Sequence, residues 1–193
     1  MNIKHIIGIV AIVIALVGYI PYIRDMIAGK TKPHIFSWLV WGIQTLIGFM
    51  AQISDNAGPG AWPTGLTVFI CFFIVIYGAR RGIKNATPLD WFAFSMGIGA
   101  TLVWAVTQTP LYSVLLITVA DIFGWIPTIR KTYAHPYSET LGSYMLIGTK
   151  HVLSLFALQH FSVITALYPL YLVIMNIFFI LLVISRRSHV RAK

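Results

Sequence analysis

Charge is the scarcest commodity in this chain. Asp, Glu, Lys and Arg make up only 10% of its 193 residues, and only five residues are acidic. A soluble domain has about a quarter of its residues charged, so an ordinary water-facing surface is excluded. Cysteine is nearly absent as well. The single thiol, Cys71, excludes an intramolecular disulfide framework and any Cys-rich zinc or iron–sulfur site. It lies inside an apolar run and reads as inert packing. Histidine forms no metal-ligand cluster: His5, His34, His135, His160 and His189 all fall near the ends of apolar runs. No metal or other cofactor is expected. Paired acids, a Ser–His dyad at membrane depth and an ATP-binding motif are also missing, which argues against an enzyme and against direct ATP drive.

What fills the chain is apolar. Hydrophobic residues make up 58% of it, more than so short a protein can bury in an interior of its own. A bilayer lifts that limit, because the outside is then apolar too. A spanning helix needs about 20 mostly apolar residues. Seven segments qualify: 5–26, 34–54, 61–81, 89–107, 111–131, 139–159 and 163–185. Turn chemistry separates them, as in Gly29-Lys30-Thr31-Lys32-Pro33, Asn56-Ala57-Gly58-Pro59-Gly60 and Thr109-Pro110. The first run is expected to be a retained span and not a signal peptide, because residues 111–131 form a counterpart deep in the chain.

The net charge of +9 does not mark a nucleic-acid binder, since the basic residues lie between apolar runs and not on one amphipathic face. Twelve of the fourteen follow the first, third, fifth and seventh spans, with Arg24, Arg80, Arg130 and Arg186 leading the four clusters. The positive-inside rule then places the N-terminus outside and the C-terminus in the cytoplasm, as in a bacterial inner-membrane protein. Asn85-Ala86-Thr87 is a formal glycosylation sequon on the cytoplasmic side and is expected to stay unmodified.

A fixed offset of 106 residues, the distance from Ser37 to Ser143, aligns the two halves without a gap. Gly18-Tyr19-Ile20-Pro21-Tyr22-Ile23-Arg24 falls on Gly124-Trp125-Ile126-Pro127-Thr128-Ile129-Arg130, Gly42 on Gly148, and Arg80-Arg81 on Arg186-Arg187. Self-similarity at one offset marks a tandem repeat. Each copy holds three helices, so a second copy would insert upside down unless one further helix intervened. The expected fold is an all-α membrane protein of seven helices in a 3+1+3 plan. Residues 1–86 are the first repeat, 87–109 a linker helix, and 110–193 the second, parallel repeat with a basic tail.

Pro21 and Pro127, the basic turn after each, and Ser37 and Ser143 opening the second helix of each repeat resemble the PQ-loop superfamily. That group includes the SWEET (MtN3-like) sugar transporters and, more distantly, the KDEL receptors. The name-giving dipeptide reads Pro21-Tyr22 and Pro127-Thr128, so the Gln is missing twice. SWEETs carry a pocket asparagine on the third helix of each repeat, and Asn176 takes that place in the second. The resemblance implies transport of a small solute by alternating access, with the architecture of a non-transporting receptor or scaffold as the alternative.

Polar residues at mid-depth locate the candidate site. Gln44, Asp121, Lys150 and Asn176 lie about halfway along four different spans, where charges are costly and mark function by default. The stripe Ser143, Ile147, Lys150 and Ser154, with its repeat counterpart Ser37, Trp41, Gln44 and Gly48, is expected to face a central cavity. Trp38 and Trp41 either stack on a substrate or serve as packing and interface residues. Asp121 and Lys150 either receive substrate or form a buried ion pair. His151, about 100° around the helix from Lys150, is expected to face away from that stripe, though Asp121 and His151 leave proton coupling open. Pro21 and Pro127 either act as hinges or end their helices. The expected partners are a small polar molecule (a sugar, an amino acid or a related metabolite) and the lipid bilayer. Homo-oligomerisation is left open.

Overall fold

The computed structural model describes residues 2–81, 87–107 and 109–191. Lys84, Asn85, Ala86 and Lys193 lie outside them. The described residues are helical, without a strand: α1 (Ile3–Ile27), α2 (Ile35–Ser54), a 3-10 turn (Gly58–Ala61), α3 (Trp62–Arg81), α4 (Pro88–Thr107), α5 (Pro110–Ala134), α6 (Leu141–Ala157) and α7 (Val163–Arg191). Five of them, α1, α2, α3 with its preceding turn, α5 and α7, are long and apolar enough to cross a membrane. The apolar runs and the helices coincide to within a few residues, except that α7 continues to Arg191, beyond the expected end at 185. Hydropathy sees only apolar stretches, whereas this last polar turn is held by Arg187. Its guanidinium donates to the carbonyls of Pro136 (3.0 Å) and Glu139 (2.8 Å).

Helix ends follow the turn chemistry. Gly29 has φ of 73°, and the amides of Gly29 and Lys30 reach back to the carbonyls of Met26 (3.1 Å) and Asp25 (2.8 Å). This is the Schellman stop that a residue without a Cβ permits. Asn56, at φ 56°, ends α2 in the same way, with Asn56 and Ala57 amides on Ile53 and Gln52 carbonyls.

The first half of α1 is sorted by side-chain size, with glycine and alanine inward and larger aliphatics outward. In α1 the buried face is Gly8, Ala11, Ala15, Gly18, Tyr19, Tyr22 and Met26, while Val10, Val13, Val17 and Ile20 stand exposed on the other. An exposed aliphatic face of that kind suits lipid. In a bilayer helices associate through close packing of small residues, because no hydrophobic gain separates protein from tail. Accordingly α1 packs on α6 and α3, α2 on α3 and α5, and α7 on α5 and α6, with α4 laid against α5 and α2.

The closest approaches occur at glycines. A Cβ on Gly18 would stand 2.9 Å from Leu146 Cβ of α6, and one on Gly124 would stand 3.1 Å from Val40 of α2. Gly42 brings α2 against Cys71 of α3, and Gly148 brings α6 against Asn176 of α7, each at 3.3 Å. The glycines are therefore close-packing points between helices.

Pro21 lies inside α1 and Pro127 inside α5, and both helices run on for more than a turn beyond them. The alternative in which each proline ends its helix is overturned. Each leaves the carbonyl one turn earlier, at Val17 and Phe123, without an amide partner.

Candidate functional site

A cavity of ≈ 50 Å³ lies among α1, α2, α3, α5, α6 and α7. A cavity needs about 10–15 Å³ to hold one water molecule, so this one holds several. From α2 it is lined by Trp38, Trp41 and Thr45, and from α6 by Tyr144, Ile147 and His151. The spacing is three then four residues in both, and the two triplets are related by the offset of 106. Tyr19 of α1 and Trp125 of α5 form a further such pair.

This changes two readings of the sequence. The cavity stripe of α6 runs through Tyr144, Ile147 and His151, about one residue around the helix from the expected one. The i, i+4 relation puts His151 directly over Ile147. His151 therefore shares the cavity, against expectation. Lys150 stands behind the cavity wall: wholly buried, its ammonium donates to the hydroxyl of Thr67 on α3 and sits 5.6 Å from the centre of the Tyr19 ring, both of which line the cavity. Ser154 of the same stripe donates to the carbonyl of Gly60. Gln44 is rotated away likewise. It is completely buried between helices, and neither atom of its amide has a hydrogen-bond partner.

Asp121 faces the cavity from α5 and is wholly buried. The Trp125 indole donates to its Oδ2 at 2.9 Å and the Tyr168 hydroxyl to its Oδ1 at 3.3 Å. No salt bridge joins Asp121 to Lys150, so the buried ion pair considered from sequence does not form. Gly48 makes room for Tyr168, whose ring a Cβ there would meet at 2.9 Å. Asn176 lines the cavity from α7. Its amide donates to Leu172 O at 2.8 Å, while its Oδ1 has no donor. Cys71 is packed in the apolar core, as expected, and also lies on the cavity wall.

Toward the end where α1, α3, α5 and α7 finish, an aromatic layer closes over this space. Trp38 donates to the Tyr22 hydroxyl at 3.1 Å. Trp38 and Trp41 rings meet edge to face with centroids 5.2 Å apart, and Trp41 and Trp125 lie 4.9 Å apart. Tyr144 and Phe179 follow at 4.5 Å. Trp38 and Trp41 thus serve both packing and cavity wall. Beyond the layer, the Tyr144 hydroxyl donates to Glu139 Oε2 at 3.1 Å, and Glu139 pairs with Lys131. Lys131 also donates to Lys32 O at 2.6 Å, and Thr140 donates to Asp25 Oδ2 at 3.1 Å and meets Thr31 at 2.7 Å. At the opposite end Lys4 donates to Leu158 O at 2.7 Å, the Gln159 amide to Ala57 O at 2.9 Å, and Ser162 to Asp55.

Sequence reasoning did not single out Tyr168, Trp125, Tyr144 or Glu139. For Trp125 the signal was present, four residues after Asp121 and at the repeat position of Tyr19. Tyr168 had none, because its approach to Asp121 depends on how α7 packs against α5.

No family model matches the chain, nor does any curated protein or solved structure.

Proposed function

We propose that this chain is a membrane transporter that moves a small polar solute by alternating access. In this reading α4, of 20 residues, and α6, of 17, join the five longer apolar helices as spans, since about 17 residues suffice. The plan is then 3+1+3: residues 1–86 and 110–193 form two parallel repeats joined by α4. The basic ends face the cytoplasm, as in a bacterial inner membrane. The resemblance to PQ-loop and SWEET transporters belongs to the same reading.

One observation carries it. The cavity walls of α2 and α6 are Trp38, Trp41, Thr45 and Tyr144, Ile147, His151, equivalent residues of the two repeats. Gly18 on Leu146 and Gly124 on Val40 are equivalent inter-repeat contacts, so the halves meet around the cavity in a twofold manner. Two like halves around a mid-depth polar site are the working parts of alternating access. Hydrogen bonds join the halves at both ends of the cavity, and opening requires breaking one set at a time. Pro21 and Pro127, each with an unpaired carbonyl behind it, are the points where α1 and α5 bend. Asp121, His151 and Asn176 contact the solute directly, Trp38 and Trp41 wall it, and Gln44 and Lys150 act from behind the wall. Asp121 and His151 are the groups available for proton coupling.

The test is solute-gradient flux in proteoliposomes containing the purified chain. We expect saturable uptake that Asp121→Asn cuts at least tenfold and that Pro21→Ala with Pro127→Ala slows. Saturable binding with no flux for any solute would replace the transporter by the receptor-like alternative.

A further inference from the structure

The cavity holds an unbalanced set of polar groups. Asp121 is the one carboxylate in its lining, and no Lys or Arg lines it. The hydrogen bonds that Trp125 and Tyr168 give Asp121 come from neutral donors, and the Tyr171 hydroxyl beside it is neutral too. Lys150, the counter-charge considered for it from the sequence, is engaged with Thr67 instead. A second acceptor in the lining, Asn176 Oδ1, has no donor at all. A buried charge without a partner is costly, and what the site lacks is a positive group. The rest of the lining suits such a group. Trp41, Trp125 and Tyr168 present ring surface beside the carboxylate, and a cation within about 6 Å of aromatic faces is attracted by the ring quadrupole. Trp41 Nε1, a buried donor on the lining without a partner, fits a hydroxyl or ether oxygen attached to the cation. The space admits an alkylammonium head, whereas a hexose brings several hydroxyls that each need a partner.

We infer that the ligand of this cavity is a small organic cation, an alkyl- or quaternary-ammonium group seated with Asp121 as counter-charge and Trp41, Trp125 and Tyr168 as walls. The inference rests on the transporter reading for its purpose, but its binding step stands on the cavity alone. Asp121 supplies the charge, the aromatic faces exclude water, and Asn176 Oδ1 accepts from any N–H the head carries.

The experiment compares charge at constant shape. The purified full chain is titrated with methylammonium, tetramethylammonium and choline, and with 3,3-dimethylbutan-1-ol, the uncharged isostere of choline. Tryptophan fluorescence and thermal midpoint are both read. We expect at least one of the cations to shift both signals saturably, and dimethylbutanol to bind at least tenfold more weakly than choline if choline is that cation. Asp121→Asn, whose one amide oxygen still accepts from Trp125 while its NH2 donates to the Tyr168 hydroxyl, removes the cation response. If the variant does not fold, the isostere comparison on the unaltered chain decides. Equal response to choline and dimethylbutanol overturns the inference, as does no response to any of the three cations at 10 mM. Those failures leave transport untouched if a neutral solute is moved in proteoliposomes. Cation binding without flux instead removes the transporter reading and keeps this one.

Discussion

At the scale of single residues, Lys150 poses the sharpest energetic question. Its ammonium is wholly buried, with a hydroxyl and a ring face as company and no carboxylate. Insertion of a charge at mid-helix costs about 2.5–3.5 kcal/mol, and replacing buried ionic groups by apolar side chains of similar volume is often stabilising by ~1–4 kcal/mol. Lys150→Met should therefore raise the thermal unfolding midpoint in detergent, since the Thr67 hydroxyl still donates to Pro63 O at 2.7 Å. A lower midpoint would show that the ammonium is compensated after all. The sequence made Lys150 and Asp121 conspicuous, because charge inside an apolar run is easy to see. Which way each pointed was not legible, because 100° of rotation separates Lys150 from His151 and hydropathy carries no angular reference of that fineness.

At the scale of the helix, spacing and turn residues made every element legible, and the glycines decide how the elements meet. Gly124 lets α5 approach α2 until a Cβ would fall 3.1 Å from Val40 and 3.2 Å from Trp41 Nε1. Gly124→Val should destabilise by about 1–3 kcal/mol, the usual cost of overpacking, and Gly18→Val should do the same at Leu146. Gly142, also helical, has nothing within 4 Å of its Cβ position, and Gly142→Ala should be neutral or stabilising by ~0.5–1 kcal/mol. Thermal unfolding of the three variants checks the pattern, and equal losses at Gly124 and Gly142 would refute it. The matched glycines at one offset were visible in the sequence. That they mark helix contacts required knowing which helix stands opposite.

At the scale of the whole molecule, the cavity lies between two sets of hydrogen bonds, and alternating access requires each set to break in turn. The Thr31 and Thr140 hydroxyls, 2.7 Å apart, tie the α1–α2 turn to the start of α6. A Thr31→Cys, Thr140→Cys pair in a Cys71→Ser background should form a disulfide on oxidation, stop uptake, and release it on reduction. Uptake that continues through the oxidised bridge would show that this end does not open in the cycle.

Read alone, the sequence determined where the helices run, apart from the polar end of α7, the 106-residue offset and the handful of polar residues near mid-helix. Those properties are periodic or compositional, and a span of about 20 residues averages out local error. The tertiary structure decided that Asp121 answers to Trp125 and Tyr168, that Lys150 answers to Thr67, and that His151 shares the cavity. Those choices depend on the rotation and close approach of helices far apart in the chain, set by glycine contacts and aromatic packing that no local pattern encodes.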